Sequence, residues 1–130
     1  MVTQAPARVL YVDDEPTLVF LVTRALEKLG IQATGFASAR EALTAFGQEP
    51  QAFTLVLTDL TMPGGMSGLE LAEALLAVRP GVPIVIASGA IEPPEAQRAA
   101  DLGVRRVIQK PAKVADMAQL VGALLRELAP

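Results

Sequence analysis

The chain has 130 residues, 52% of them apolar but only 4% aromatic, and a formal net charge of −3. That length supports one domain with an aliphatic core. The complete absence of cysteine and histidine excludes disulfides, thiolate and imidazole metal sites, thiol nucleophiles, a Ser-His-Asp triad and a phosphohistidine carrier.

Arg105-Arg106 is the one basic cluster and no apolar run approaches ~20 residues, so neither a nucleic-acid interface nor a membrane span is expected. Met1–Ala7 lacks a cationic segment followed by a long apolar stretch, so no signal peptide is read there and the default address is cytoplasmic. Chemistry is left to carboxylates, hydroxyls, one of three lysines or a bound ion.

Strand and helix patterns then alternate five times. Strand one, Arg8–Val12, runs into Asp13-Asp14. Helix one, about Pro16–Leu29, puts Leu18, Val22, Ala25, Leu26 and Leu29 on one face and stops at Gly30. Strand two is Ile31–Phe36. Ser38-Ala39-Arg40-Glu41 reads as a capping box opening helix two, which ends at Gly47. Strand three, Phe53–Thr58, runs into Asp59, and a Gly-, Pro- and Met-rich loop follows over Thr61–Gly68. Within it, Ser67-Gly68-Leu69-Glu70 is a second capping box, starting helix three, which Pro80-Gly81 terminates. Strand four, Ile84–Ala87, ends in Ser88. Helix four, about Pro94–Leu102, is the weakest, with a face made mostly of Ala96, Ala99 and Ala100. Strand five, about Val104–Gln109, runs into Lys110-Pro111. Helix five, from Val114, presents Met117, Val121, Leu124, Leu125 and Leu128.

This alternation predicts an α/β fold, a parallel sheet with helices on both faces. Strands one, three and four are continuously apolar and belong inside; strands two and five are mixed and suit edges. Right-handed crossovers then give the order 2-1-3-4-5, which reverses its winding between strands one and three. Ligands of open α/β sheets bind at such a switch point, beyond the carboxyl ends of the strands, where Asp13, Asp14 and Asp59 fall. Carboxylates crowded there repel by about 4 kcal/mol per pair at 4 Å with an effective dielectric near 20, and the usual compensation is a hard divalent cation bound through oxygen. Singly, each motif has an ordinary reading: acids suit a helix N-terminus by about 0.3–1 kcal/mol, and Ser88-Gly89 or Lys110 could be plain loop residues. Their joint placement favours a site. Arg105-Arg106 reads as a solvated edge, and Met62 and Met66 as loop-packing residues.

With Val12-Asp13-Asp14-Glu15-Pro16 after strand one, Asp59-Leu60-Thr61-Met62-Pro63 after strand three, Ser88-Gly89 after strand four and Lys110-Pro111 after strand five, the chain resembles the receiver domain of two-component response regulators, over about Val9 to Leu128. The resemblance implies a flavodoxin-like fold and a single receiver domain over 1–130, with an ordered core of about 8–128. It also implies a phosphoacceptor role for Asp59. Asp13, Asp14, Asp59 and the backbone carbonyl of Thr61 would hold Mg²⁺, Lys110 would pair with Asp59 and then with a phosphoryl oxygen, and Ser88 would hydrogen-bond another. The phospho-donor would be a histidine kinase or histidine phosphotransfer protein. The peptide after the lysine is typically cis in that family, and Lys110-Pro111 can adopt that form.

Two positions depart from the pattern. Val107 stands where the family often has an aromatic residue that rotates on phosphorylation, so the switch is expected to work by loop and helix displacement, with the alanine-faced fourth helix as the moving part. The loop Met62-Pro63-Gly64-Gly65-Met66-Ser67-Gly68 is one residue longer than the commonest spacing and resembles receivers attached to hybrid sensor kinases. No effector sequence follows helix five before Pro130, so output is expected through protein contact or as a phosphate sink. Two alternatives stay open. One is a dehalogenase-like Asp-based phosphohydrolase, although Thr61 occupies the position where that class carries its acid–base Asp. The other is a receiver-like interaction module that is never phosphorylated.

Overall fold

The computed structural model describes residues 7–129, so the signal-peptide reading, apart from Ala7, lies outside the described residues. Five strands and five helices alternate: β1 (Arg8–Val12), α1 (Pro16–Lys28), β2 (Gln32–Phe36), α2 (Ala39–Gln48), β3 (Leu55–Asp59), α3 (Gly68–Val78), β4 (Ile84–Ser88), α4 (Pro93–Leu102), β5 (Arg106–Gln109) and α5 (Val114–Leu128). The strands form one parallel sheet in the order β2-β1-β3-β4-β5. The inner strands are almost wholly buried and the two edge strands are not, as continuous and mixed apolar patterns require.

Side chains alternate across each strand, which sorts the core into two layers. Leu10, Val12, Val56, Ile84 and Ile86 face the side covered by α2, α3 and α4, where Phe46, Leu71, Leu75 and Ala99 complete the packing. Val9, Tyr11, Leu55, Leu57, Val85 and Ala87 face α1 and α5, meeting Val22, Leu26, Met117, Val121 and Leu124. Met62 and Met66 pack against the first layer, as expected of loop-packing residues. Arg106 is half exposed and holds Glu127 through two hydrogen bonds of 2.7 and 3.2 Å at the sheet edge.

Capping sets the helix ends. Ser67 and Glu70 form the reciprocal box read from the sequence, whereas Ser38 accepts from the Glu41 amide without the return bond. At the start of α4 the Glu92 amide donates to Glu95 Oε1 at 3.1 Å, and Gly103 closes the helix in the left-handed conformation at φ 99°. The Val104 amide bonds back to the Ala99 carbonyl at 3.0 Å. Val104 therefore belongs to that helix stop, and β5 begins two residues later than the apolar pattern predicts.

The loop after β3 folds tightly onto the strand end. The Gly68 amide donates to the Leu60 carbonyl at 2.9 Å, and a Cβ on Gly68 would collide with the Asp59 carbonyl oxygen and press on Leu60 Cα at 3.0 Å. Backbone atoms cannot rotate aside as a flexible side chain can. Gly68→Ala should therefore destabilise the domain by about 2–3 kcal/mol, measured by urea unfolding, and displace Asp59; an unfolding midpoint equal to wild type would contradict this close approach.

Candidate functional site

Side-chain parity places the site. Asp13 follows Val9 and Tyr11 at two-residue steps along β1, Asp59 follows Leu55 and Leu57 along β3, and Lys110 follows Ile108 beyond β5. All three extend rows that face α1 and α5. Ser88 follows Ile84 and Ile86 and belongs to the opposite row, the one facing α2–α4.

The consequence is visible in the contacts. One carboxylate oxygen from each of Asp13, Asp14 and Asp59 lies within 4.8 Å of the others. Lys110 Nζ bridges two of them, at 2.7 Å to Asp13 Oδ2 and 3.2 Å to Asp59 Oδ2. Lys110, expected to pair with Asp59, makes its shorter bond to Asp13, whose side chain is fully sequestered. Asp13 Oδ1 accepts from the Glu15 amide and Asp59 Oδ1 from the Leu60 amide, at 3.0 and 2.9 Å. Ser88 is buried but does not join this network. Its hydroxyl donates to the Ala90 carbonyl at 2.7 Å and accepts from the Ala90 amide at 3.2 Å. Thr61 stands exposed in the loop two residues past Asp59. The Lys110-Pro111 peptide is trans, since no cis bond occurs among the described residues; trans is the intrinsically preferred form by about 0.5–1 kcal/mol.

Burial pushes the Asp59 carboxyl above its ordinary range; Lys110 and the Leu60 amide pull it down, Asp13 raises it further, and the balance is upward. For Lys110, burial disfavours the ammonium, but its hydrogen bond to Asp13 and the charges of Asp13 and Asp59 prevail and the net shift is also upward. Three carboxylates against one ammonium leave an excess of two negative charges at the cluster. All the side-chain donors are oxygen, the set that a hard divalent cation prefers.

The sign of the Asp59 shift gives a prediction. A carboxyl with a raised folded-state pKa adds stability below its unfolded value, and that stability is lost as pH rises through the folded value. Near neutral pH, without divalent cation, the charged form therefore weighs against folding. Asp59→Asn should raise the melting temperature there, and the difference should close as pH falls toward the ordinary value of 3.8. Thermal melts across that range check it; a variant less stable than wild type at neutral pH would refute it.

Two contacts lie outside the expectations drawn from the sequence. The Tyr11 hydroxyl donates to Asp13 Oδ2 at 3.0 Å, and burial with the adjacent carboxylate raises the phenol pKa well above its ordinary value, keeping it protonated. The signal was available, since Tyr11 and Asp13 are two residues apart on one strand face. The other is Gln109, whose Nε2 donates to the Gly89 carbonyl at 2.8 Å and ties β5 to the loop after β4. Nothing in its sequence position marks that contact.

Comparison with known proteins points to one family and fold. A family model described as the response regulator receiver domain matches residues 9–122. The C4-dicarboxylate transport transcriptional regulatory protein DctD of Rhizobium meliloti (strain 1021) is 35% identical over 107 residues, covering 82% of this chain and 23% of that protein. The sensor protein GacS of Pseudomonas syringae pv. syringae is 34% identical over 137 residues, covering 98% of this chain and 15% of that protein. The crystal structure of a CheY-like response regulator receiver domain protein from Methanospirillum hungatei JF-1 superposes with a TM-score of 0.81 at 27% identity, covering 95% of this chain and 97% of that one. The chain thus spans less than a quarter of the length of these two curated relatives and nearly all of the solved receiver.

Proposed function

The chain belongs to the response regulator receiver domain family of two-component signalling, and on that premise we propose that Asp59 is its phosphoacceptor. The family's general function is to be phosphorylated by a kinase, and its members bind Mg²⁺ at an acidic pocket. The observation that carries the assignment is the three-carboxylate cluster with Lys110 spanning Asp13 and Asp59.

In this reading Asp13 and Asp14, with Asp59 and the Thr61 carbonyl, hold Mg²⁺. An ion held there would supply positive charge to offset that of the incoming phosphoryl group. Lys110 keeps the Asp59 carboxylate oriented through Oδ2 while the Leu60 amide holds Oδ1. An Asp59 oxygen then bonds to phosphorus as the P–N bond of a phosphohistidine breaks, and the chain is modified without turning over an external substrate. Lys110 follows the new charge onto a phosphoryl oxygen. Ser88 must first release the Ala90 carbonyl to reach another, so modification reshapes the loop between β4 and α4. With Val107 half-buried in β5, that loop and the Gln109 bond to Gly89 carry the change in place of a rotating ring.

We further propose that residues 1–130 act as one receiver domain, supplied by a histidine kinase or phosphotransfer protein and read out by protein contact or by draining phosphate. Likeness to a sensor protein and to transcriptional regulators supports both supply and output roles. Among the described residues no helix is long and apolar enough to cross a membrane, and the proposed address is the cytoplasm, where such kinases present their phosphohistidine.

The test is intact-mass measurement after incubation with a small acyl phosphate. One phosphate per chain, appearing with Mg²⁺ and absent with a chelator, is expected. Steady release of many phosphates per chain would instead favour a phosphohydrolase, and no uptake at all would favour an interaction module.

A further inference from the structure

We propose that Tyr11 is a positioning residue for the metal-binding carboxylate of Asp13, an assignment that rests on the Mg²⁺ reading above. The single tyrosine of the chain is buried at 2% exposure in the layer facing α1 and α5. A phenylalanine would fill that place equally well, and a buried hydroxyl is unfavourable unless it is bonded. Here it donates to one atom, Asp13 Oδ2, at 3.0 Å. That oxygen is also the one Lys110 holds at 2.7 Å, while the Glu15 amide holds Oδ1 at 3.0 Å.

The three holds differ in permanence. Lys110 is shared with Asp59 and leaves when a phosphoryl oxygen competes for it. Glu15 alone would fix one oxygen and leave the carboxylate free to rotate about its Cβ–Cγ bond. Tyr11 is rigid, packed in the core and two residues away on the same strand. It keeps the carboxylate plane fixed when the lysine is withdrawn, at the moment the metal depends on it. Partners that orient a metal ligand from behind commonly change affinity by about 10–100-fold when removed.

The experiment is Mg²⁺ titration by calorimetry of wild type and Tyr11→Phe, with circular dichroism and thermal melts to confirm that both are folded. Because the chain has one tyrosine and no tryptophan, the ultraviolet difference spectrum of wild type reads the phenol directly during the same titration. The expected results are Mg²⁺ affinity weakened about tenfold in Tyr11→Phe and a tyrosine difference band in wild type that saturates with Mg²⁺ occupancy. Wild-type binding with unchanged affinity in a folded Tyr11→Phe, or a flat tyrosine spectrum at saturating Mg²⁺, overturns the role of Tyr11 while leaving the metal site standing. A wild type that binds no Mg²⁺ overturns both readings. If Tyr11→Phe fails to fold, the wild-type difference band alone decides.

Discussion

Asp59→Asn is expected to abolish Mg²⁺-dependent phosphate uptake outright while leaving the domain folded. The amide is nearly isosteric with the carboxylate and can still accept from the Leu60 amide, which lies 2.9 Å from Asp59 Oδ1. What it loses is the nucleophile: an amide oxygen carries no full charge to attack phosphorus, and positioning cannot substitute for it. Asp13→Asn should behave differently, slowing uptake and raising the Mg²⁺ requirement without eliminating it, because Asp14 and Asp59 remain in the cluster. Intact mass against time for the three proteins separates the roles. Equal uptake by wild type and Asp59→Asn would remove Asp59 from the reaction, and complete loss in Asp13→Asn with retention in Asp59→Asn would invert the assignment.

Lys110→Met should be the most destabilising substitution at the site. Lys110 is 21% exposed and contacts carboxylates that are 1% and 13% exposed. Removing one partner of a buried pair leaves the other uncompensated, at about 3–5 kcal/mol; partial solvent access at Lys110 and Asp59 argues for the lower end, about 3 kcal/mol. In a domain of this size that lowers the melting temperature by roughly ten degrees. Two conditions should rescue the variant. Lowering the pH protonates one of the facing carboxylates, and Asp59, already shifted upward, is the one to accept the proton. Adding Mg²⁺ supplies the missing positive charge. Wild type should show neither rescue to the same extent. Its lysine, shifted upward, contributes stability that is complete below the ordinary value of 10.5 and lost only at more alkaline pH. Melts of both proteins against pH and Mg²⁺ check this, and a variant within a degree or two of wild type near neutral pH would show that the bridge is incidental.

Much of the fold is legible in the amino-acid sequence itself. Continuous apolar runs in Val9–Val12, Leu55–Leu57 and Ile84–Ala87, against mixed ones in β2 and β5, suffice for the strand order, because a strand buried on both faces is apolar along most of its length. The residues at and just beyond the strand ends, Asp13, Asp14, Asp59 and Lys110, are legible because a parallel sheet brings all its carboxyl ends to one edge. Two things were less legible. Which groups meet at that edge depends on side-chain alternation at the strand ends, and this sends Lys110 to both Asp13 and Asp59 but Ser88 to the other face, where it bonds Ala90. Contacts such as Gln109 with Gly89 depend on loop backbone geometry, for which residue type alone carries little information. The boundary at β5 was misplaced because Val104 satisfies the stop of the preceding helix, a non-local demand that outweighs its strand propensity.

The fourth helix unites weak attachment with firm ends. Its body buries one residue, Ala99, while Glu92 and Glu95 close its first turn and Gly103 closes its last. A helix held only by its neighbours would fray when released; one closed at both ends keeps its own hydrogen bonds after its contacts loosen. Should the loop change proposed above displace α4, these two closures would let the helix shift as an intact rod.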